Sequence, residues 1–225
     1  MSPPSLPSLG LEMDNNPLYA TAARSHRERS RQGDRMISVQ VAHSLADIMQ
    51  VVAIRASVFM SDQACPYDEE FDGNDFCATH LIGYLGTEPA ACIRARFFGD
   101  FCKLERLAVR PQYRKTRLAF QVVRAGIELA RKKGFRRIYG HAQDRLVKFW
   151  AHFGAKPLGA NRKLVFSDFS YTEMVIDLDP HDDPITIDSD PYVIIRPEGE
   201  WHDTGILEAS ATRPATSPLN GQRAA

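Results

Sequence analysis

The chain has 225 residues and is 44% apolar, a content that can bury one sizeable hydrophobic core. Its 28 basic and 28 acidic residues balance, so net charge gives no drive toward nucleic acid and no nucleic-acid partner is expected. Because no apolar run reaches 18 residues, neither a transmembrane helix nor a membrane partner is expected. The four cysteines lack Cys-x-x-Cys spacing, which favours reduced thiols in a cytoplasmic protein over a disulfide or a metal site.

The first 35 residues differ in composition from the rest of the chain. They hold four prolines and a basic run with five arginines, and they lack periodic apolar residues. They also lack the apolar segment of a secretory signal. The pattern predicts a disordered basic N-terminal arm over residues 1–35, which is either a solvated tail or a contact for a polyanion.

Residues 36–178 are predicted to form one domain of ordinary size, from the spacing of their apolar residues. The expected elements are strand 37–42, helix 45–59 behind the N-cap Ser44, an irregular acidic segment 61–75, strands 80–85, 90–97 and 101–109, helix 114–133, strand 137–141, helix 144–153, and a hairpin of 162–166 with 171–178. This order predicts an α+β fold of mixed α/β type, with helices on both faces of a mostly antiparallel sheet.

Residues 179–225 are predicted to be a C-terminal extension, rich in proline, aspartate, serine and threonine. Its one short apolar run, 192–195, is expected either to add a strand to the sheet or to cross to another subunit, which would make a homodimer. The last twenty residues are expected to be disordered.

The most informative segment lies between Leu104 and Pro157, where a strand is followed by a helix with a basic start. Arg114, Lys115 and Arg117 surround that start. The first backbone N–H groups of a helix have no intrahelical partner and carry the positive end of its dipole. A pyrophosphate fits such a terminus, so the sequence predicts an anion site there.

This arrangement resembles the GCN5-related N-acetyltransferase (GNAT) superfamily, whose signature is a strand followed by Arg/Gln-x-x-Gly-x-Gly/Ala at a helix start. The corresponding residues of this sequence are Arg114-Lys115-Thr116-Arg117-Leu118-Ala119. Ala119 keeps the final small residue, whereas Arg117 stands at the first glycine. A guanidinium at that place can pair with phosphate oxygens through its side chain.

Other motifs extend the resemblance over about residues 37–178. Three downstream matches look like the His-Ala-Gln, Phe-Tyr and Gly-Phe pattern of one acetyltransferase subgroup: His141-Ala142-Gln143, Lys148-Phe149-Trp150 and Phe153-Gly154-Ala155. The upstream matches to the same subgroup are Ile54-Arg55, Val58-Phe59, Gln63, Pro66, Glu69, Glu70, Asp72 and His80-Leu81. That upstream half is also similar to acyl-homoserine-lactone synthases, which share the fold and an Arg, Val-Phe and acidic framework.

The resemblance implies an enzyme that transfers the acetyl group of acetyl-CoA to a primary amine by direct attack, without a metal. The acceptor would be a small-molecule amine or an amino-acid-like compound. The family usually binds the pantetheine arm through the backbone of the strand that corresponds to Leu107, Ala108 and Val109. The other implied cofactor contacts are Arg114, Lys115, Thr116, Arg117, Leu118, Ala119, Gln143 and Trp150.

Glu105 is the candidate general base, because it lies two residues before Leu107 on the cofactor-binding strand. The alternative is a surface carboxylate paired with Arg94 or Arg96 on the neighbouring strand. His141 ends a strand beside the cofactor groove by analogy with the family. It is either catalytic or a hydrogen-bonded structural histidine.

Tyr171 is the candidate acid for the leaving thiolate, because Trp150 replaces the tyrosine that often protonates it in the superfamily. A half-buried strand tyrosine is the alternative. The loop acids Glu69, Glu70 and Asp72 are expected to bind a cationic amine, because the fold places their segment over the acceptor site. Solvated loop charges are the alternative there.

Two other functions stay open. The synthase-like pattern of Arg55, Glu70, Asp72 and Arg94 favours an N-acyltransferase that uses longer acyl-CoA or acyl-carrier-protein donors, with Arg55 as a substrate-binding residue. The altered signature at Arg117 and Trp150 favours a non-catalytic acyl-CoA-binding module.

Overall fold

The computed structural model describes residues 36–159 and 164–217, and the predicted basic arm of residues 1–35 lies outside them. The strands are β1 (Ile37–Val41), β2 (Thr79–Leu85), β3 (Glu88–Phe97), β4 (Cys102–Val109), β5 (Arg137–Gln143), β6 (Lys156–Pro157), β7 (Leu164–Phe166) and β8 (Phe169–Asp177). The α-helices are α1 (Leu45–Arg55), α2 (Tyr67–Glu70), α3 (Leu118–Lys132), α4 (Val147–Ala151), α5 (Pro191–Ile194) and α6 (Ile206–Ala209). None of the helices in these residues is long and apolar enough to cross a membrane.

The strands form one sheet in the order β1-β2-β3-β4-β5-β8-β6, with β7 paired to β8. Every pair is antiparallel except β4 with β5, which run parallel. Helix α3 packs on one face of the sheet and α1 on the other. The predicted mixed α/β fold with a mostly antiparallel sheet is therefore confirmed.

Close packing of α3 on the sheet depends on glycine. A Cβ atom on Gly83 of β2 would lie 2.5 Å from Val122 Cγ2, and one on Gly126 of α3 would lie 3.2 Å from a methyl of Leu104. Val122 and Leu104 are both fully buried there, and burial of such side chains contributes about 1.5 to 3 kcal/mol each. These two close approaches let α3 pack directly on β2 and β4.

One helix start agrees with the sequence prediction and another does not. Ser44 caps α1 as predicted, and its backbone N–H donates in return to Asp47. Helix α3 starts at Leu118 instead of Arg114, because a 3₁₀ turn at Pro111–Tyr113 precedes it and Thr116 Oγ1 accepts the N–H of Leu118. Arg114 therefore lies in the turn before the helix.

Two irregular segments shape the sheet around β4. A π-helical segment, Ala56–Asp62, continues α1, where the sequence predicted an α-helix to residue 59. In β4, Arg106 has a positive φ of 54°, and the register leaves Arg106 and Leu107 opposite Ile93 alone. Such a β-bulge bends its strand and turns a side chain out of the alternation. Here it directs Arg106 toward the acidic segment.

The C-terminal extension folds back on its own domain. The Ile185 N–H donates to Lys132 O at 2.7 Å, Lys132 Nζ lies 2.8 Å from Asp183 Oδ2, and Lys133 Nζ lies 2.6 Å from Glu198 Oε1. The apolar run 192–195 falls mostly in the helix α5, so the expected extra strand is wrong. Residues 206–209 of the predicted disordered end form α6, and residues 218–225 lie outside the described part.

Candidate active site

A cleft opens where β4 and β5 diverge. The two parallel strands pair at Cys102–Ile138 and Lys103–Tyr139, and the described residues show no further pairing between them. Beyond that point, the inner edges of both strands face a cleft of about 370 Å³. Its walls come from β4, β5, the π-helical segment and the β7–β8 turn, and they include Phe59, Gln63, Asp72, Glu105, Arg106, Leu107, His141, Gln143, Trp150, Ser167, Phe169 and Tyr171.

The predicted cofactor strand lies along one wall of this cleft. Leu107 lines the cleft, whereas Ala108 is buried against α1 on the opposite side of the strand. Val109 O accepts a hydrogen bond from Arg114 Nε at 3.2 Å, which ties the basic turn to the end of β4. An extended thioester arm could therefore run along β4 toward the start of α3 by adding to a strand edge.

The basic turn combines paired and unpaired cations. Arg114 Nη2 lies 2.5 Å from Asp62 Oδ2, so part of its charge is used within the chain. Lys115 and Arg117 are exposed and make no hydrogen bond or ion pair with another described residue. Leu118 is fully buried, so a ligand could meet only its backbone. The arrangement leaves two free cations at the start of a 15-residue helix.

Gln143 ends β5 with its side chain almost fully buried in the cleft wall. Its Nε2 lies 3.4 Å from both Gln63 Oε1 and Tyr171 Oη, which makes two long hydrogen bonds. Its Oε1 is buried without a hydrogen-bond partner among the described residues. An unsatisfied buried amide oxygen costs free energy, and a ligand N–H in the cleft would satisfy it.

Trp150 and Tyr171 both line the cleft. Trp150 is half-buried on α4 and packs against the sheet core. Tyr171 stacks on Phe166 with ring centroids 3.8 Å apart and keeps its hydroxyl near Gln143. The structure thus brings Gln143, Trp150 and Tyr171 to one cleft, and their roles in cofactor binding and catalysis stay predictions.

His141 also lines the cleft, and one of its ring nitrogens makes a hydrogen bond. Its Nε2 lies 2.8 Å from Tyr139 Oη. Burial and the nearby Lys103 ammonium lower the pKa of His141 below its ordinary value of 6.5. The imidazole is therefore neutral near pH 7 and able to accept a proton.

Glu105 also faces the cleft, but both of its carboxylate oxygens are paired. Oε1 accepts from Arg94 Nε at 3.0 Å, and Oε2 lies 2.7 Å from Lys103 Nζ. Burial alone would raise the pKa of Glu105, yet Lys103 and Arg94 outweigh it and hold that pKa below its ordinary value. The cross-strand pairing with Arg94 is thus present, and it makes Glu105 a weaker base than a free carboxylate.

A network of charges lies beneath the acidic segment. Arg55 and Glu70 are fully buried and bonded to each other at 2.5 Å, and neither lines the cleft. Asp72 does line it, but it accepts hydrogen bonds from Arg94 at 2.6 Å and Arg106 at 3.1 Å. Although burial raises the pKa of Asp72, these bonds hold it well below its ordinary value.

Glu69 completes the set of predicted acceptor ligands, and it lies outside the cleft. Its carboxylate accepts from Ser167 Oγ at 2.5 Å, which joins the acidic segment to the β7–β8 turn. Burial and these internal bonds make Arg55 and Glu70 part of the framework under the cleft. They are not placed where a substrate could touch them.

Sequence reasoning missed Lys103, Arg106, Tyr139 and Glu173, which all contribute to this site. Lys103 and Tyr139 alternate with the predicted Glu105 and His141, so two-residue periodicity on β4 and β5 could have found them. Arg106 could not be found that way, because the bulge breaks the alternation at that residue.

Comparison with known proteins agrees with this geometry. The sequence model of the acetyltransferase (GNAT) family matches residues 48–155. The uncharacterized protein YyaT of Bacillus subtilis (strain 168) is 30% identical over 112 residues, which span 48% of this chain and 76% of that protein.

Solved structures share the fold. Escherichia coli ElaA superposes with a TM-score of 0.57 at 23% identity, over 63% of this chain and 100% of ElaA. A Bacillus subtilis acetyltransferase crystallised in complex with CoA has a TM-score of 0.50 at 12% identity, over 64% of this chain and 99% of its own. The match to the family model covers β2 to β5 and the helices α2 to α4. This chain belongs to the GNAT acetyltransferase family.

Proposed function

We propose that this acetyltransferase moves the acetyl group of acetyl-CoA to a primary amine by direct attack of the amine on the thioester. The observation that carries the proposal is the split between β4 and β5, which leaves a strand edge and a buried Gln143 oxygen facing one cleft, while the chain after β4 leads to the basic helix start. A pantetheine amide N–H suits the Gln143 oxygen, and a pyrophosphate suits the helix start. The CoA complex of the structural relative supports the same donor.

The chemistry needs a neutral amine, an aligned carbonyl and a place for the displaced proton. His141 lies in the cleft with a neutral ring, and we assign it the role of general base. Glu105, which is paired with Lys103 on β4, supplies a negative charge near the His141 ring. Tyr171, whose hydroxyl reaches Gln143, is the group assigned to protonate the departing thiolate.

The acceptor is proposed to carry a carboxylate beside its amine. Asp72 is already neutralised by Arg94 and Arg106, so it offers little to a cationic amine. Lys103 is likewise matched by Glu105, whereas Arg145 lines the cleft without a partner among residues 36–159 and 164–217. An amino-acid-like acceptor fits this arrangement of charges, because its carboxylate can pair with the Arg145 guanidinium.

An amine panel tests the proposed reaction. Acetyl-CoA is incubated with the protein and amino acids, aminosugars, polyamines or lysine-containing peptides, and thiol release is followed with product masses. We expect amide formation with at least one class, and faster with acetyl-CoA than with octanoyl-CoA. A protein whose melting temperature is raised by acetyl-CoA but that forms no amide would be a binding module instead.

The donor site has a sharper test in the basic turn. Replacing both Arg114 and Arg117 with Glu should weaken acetyl-CoA binding by about 3 kcal/mol or more, on the order of 100-fold in Kd, since two charge-assisted contacts are lost. The measurement is calorimetric titration with acetyl-CoA. The matched control replaces Arg124 and Arg137, two exposed arginines outside the cleft lining, with Glu and should bind normally. Equal affinity in both double variants would remove the anion site from this turn.

A further inference from the structure

Three polar side chains form a chain of hydrogen bonds on the cleft face of β5 and β8. Tyr139 and His141 are two residues apart on β5, so they point to the same face. Glu173 of β8 is the register partner of His141 and is buried. Tyr139 Oη lies 2.5 Å from Glu173 Oε1 and 2.8 Å from His141 Nε2. The carboxylate, the phenol and the imidazole are thus connected in that order.

The number of available protons sets the tautomer of the histidine. A tyrosine hydroxyl has one proton, and an ionised carboxylate can only accept. Tyr139 therefore donates to Glu173, and its oxygen accepts a hydrogen bond from an N–H at His141 Nε2. The lone pair of the neutral ring then lies on Nδ1, which makes no hydrogen bond with any residue in the described part of the chain. Nδ1 is the nitrogen left open to a ligand in the cleft.

We propose that Tyr139 and Glu173 are positioning residues that hold His141 in the Nε2–H tautomer, with Nδ1 as the proton acceptor for the amine. This inference rests on the proposed acyl transfer. An acceptor that arrives as an ammonium ion loses two protons, one before the C–N bond forms and one as the C–S bond breaks. The first goes to Nδ1 and then to solvent, and the second ends on the departing sulfur. The Glu173 carboxylate, acting through Tyr139, stabilises the imidazolium that forms between these steps.

Charges on the neighbouring strands fix the direction of the expected pH effects. On β4, Lys103 disfavours the imidazolium and Glu105 favours it; on β8, Glu173 favours it. Replacing Glu173 with Gln removes one of the two favourable charges. The pKa of His141 should then fall further, and the acid limb of the kcat/KM profile should move to lower pH.

Nuclear magnetic resonance tests the tautomer without any substrate. With 15N-labelled histidine, and the His141 signals assigned by their loss in His141→Asn, the wild-type ring should show a protonated Nε2 and an unprotonated Nδ1. Tyr139→Phe should abolish this preference, and Glu173→Gln should lower the titration midpoint. A proton on Nδ1 in the wild-type protein, or an unchanged tautomer in Tyr139→Phe, would overturn the proposal.

Kinetics with acetyl-CoA and the most active amine of the panel test the consequence. Tyr139→Phe should lower kcat at least about tenfold, part of the 10² to 10⁴ that a general base supplies, while the Kd of acetyl-CoA is unchanged. The control is Tyr84→Phe on β2, which also removes a half-buried hydrogen-bonded hydroxyl, 2.7 Å from Gln50, but lies away from the cleft lining. Its kcat should stay normal.

The two experiments separate failure of the positioning from failure of the reaction. If the wild-type protein acetylates an amine and Tyr139→Phe keeps full kcat and an unshifted pH profile, the positioning role is wrong while the acyl transfer stands. If no amine is acetylated, the proposed function fails, and the tautomer of His141 still decides whether Tyr139 and Glu173 orient the ring.

Discussion

Replacing His141 with Asn is expected to lower the turnover of acetyl transfer by about 10² to 10⁴, the range over which a positioned general base acts. Asparagine keeps a polar side chain on the cleft wall but has no group that can accept a proton near neutral pH. The Kd of acetyl-CoA should be nearly unchanged, because the predicted donor contacts lie on β4, the basic turn and Gln143. The loss should shrink at high pH, where the acceptor amine is already neutral.

The pH profile gives an independent check of this assignment. A base acts in its deprotonated form, and the pKa of His141 lies below its ordinary value because of burial and Lys103. The midpoint of the acid limb that His141 gives to the wild-type kcat/KM profile should therefore lie below pH 6.5. The His141→Asn variant should lack this acid limb.

Glu105→Gln is the matched comparison, since sequence reasoning favours Glu105 as the base. Gln keeps an oxygen for Arg94 but loses the charge opposite Lys103. We expect a loss in turnover smaller than about tenfold, with the acid limb retained. A loss in Glu105→Gln as large as in His141→Asn, with the limb abolished, would return the base role to Glu105.

Much of the fold could be predicted because it depends on short-range patterns. The N-cap at Ser44 needs only a serine followed three residues later by Asp47, and the alternation on β2 to β4 needs only two-residue periodicity. The sequence pattern alone predicts a start of α3 that is four residues early. Basic residues resemble a first helical turn, but a 3₁₀ turn at Pro111–Tyr113 and the hydrogen bond from the Leu118 N–H to Thr116 Oγ1 precede a helix that begins at Leu118.

The site was less predictable, because its geometry depends on contacts far apart in the sequence. The roles of Arg55 and Glu70 depend on how the acidic segment folds over the sheet, and local sequence carries no sign that both are fully buried. The strands β4 and β5 diverge after the pair Lys103–Tyr139, and the bulge at Arg106 follows on β4, at a residue with no glycine or turn signal to mark it. Tyr139 and Glu173 meet only because β8 returns beside β5.

Breaking the buried ion pair between Arg55 and Glu70 is expected to have the largest effect on stability. Arg55 Nε lies 2.5 Å from Glu70 Oε1, Arg55 Nη2 donates to Glu70 O at 2.8 Å, and Arg55 Nη1 lies 2.5 Å from Asp75 Oδ1. Replacing Arg55 with Met keeps most of the volume but leaves the buried Glu70 carboxylate with Arg106 alone, at 3.1 Å. The free energy of unfolding should fall by about 3 to 5 kcal/mol, as measured by urea unfolding.

The control and the double variant show whether this loss comes from an unpaired buried charge. Arg137→Met removes an exposed arginine whose Nε lies 3.6 Å from Asp177, and it should cost about 0 to 1 kcal/mol. The double variant Arg55→Met with Glu70→Met removes both charges and should recover part of the loss, since Asp75 keeps Arg94 at 2.8 Å. A cost for Arg55→Met no larger than that for Arg137→Met would contradict a stabilising role for the buried network. Recovery in the double variant would show that the free energy resides in the pairing of the charges, because the packed volume is nearly constant throughout the series.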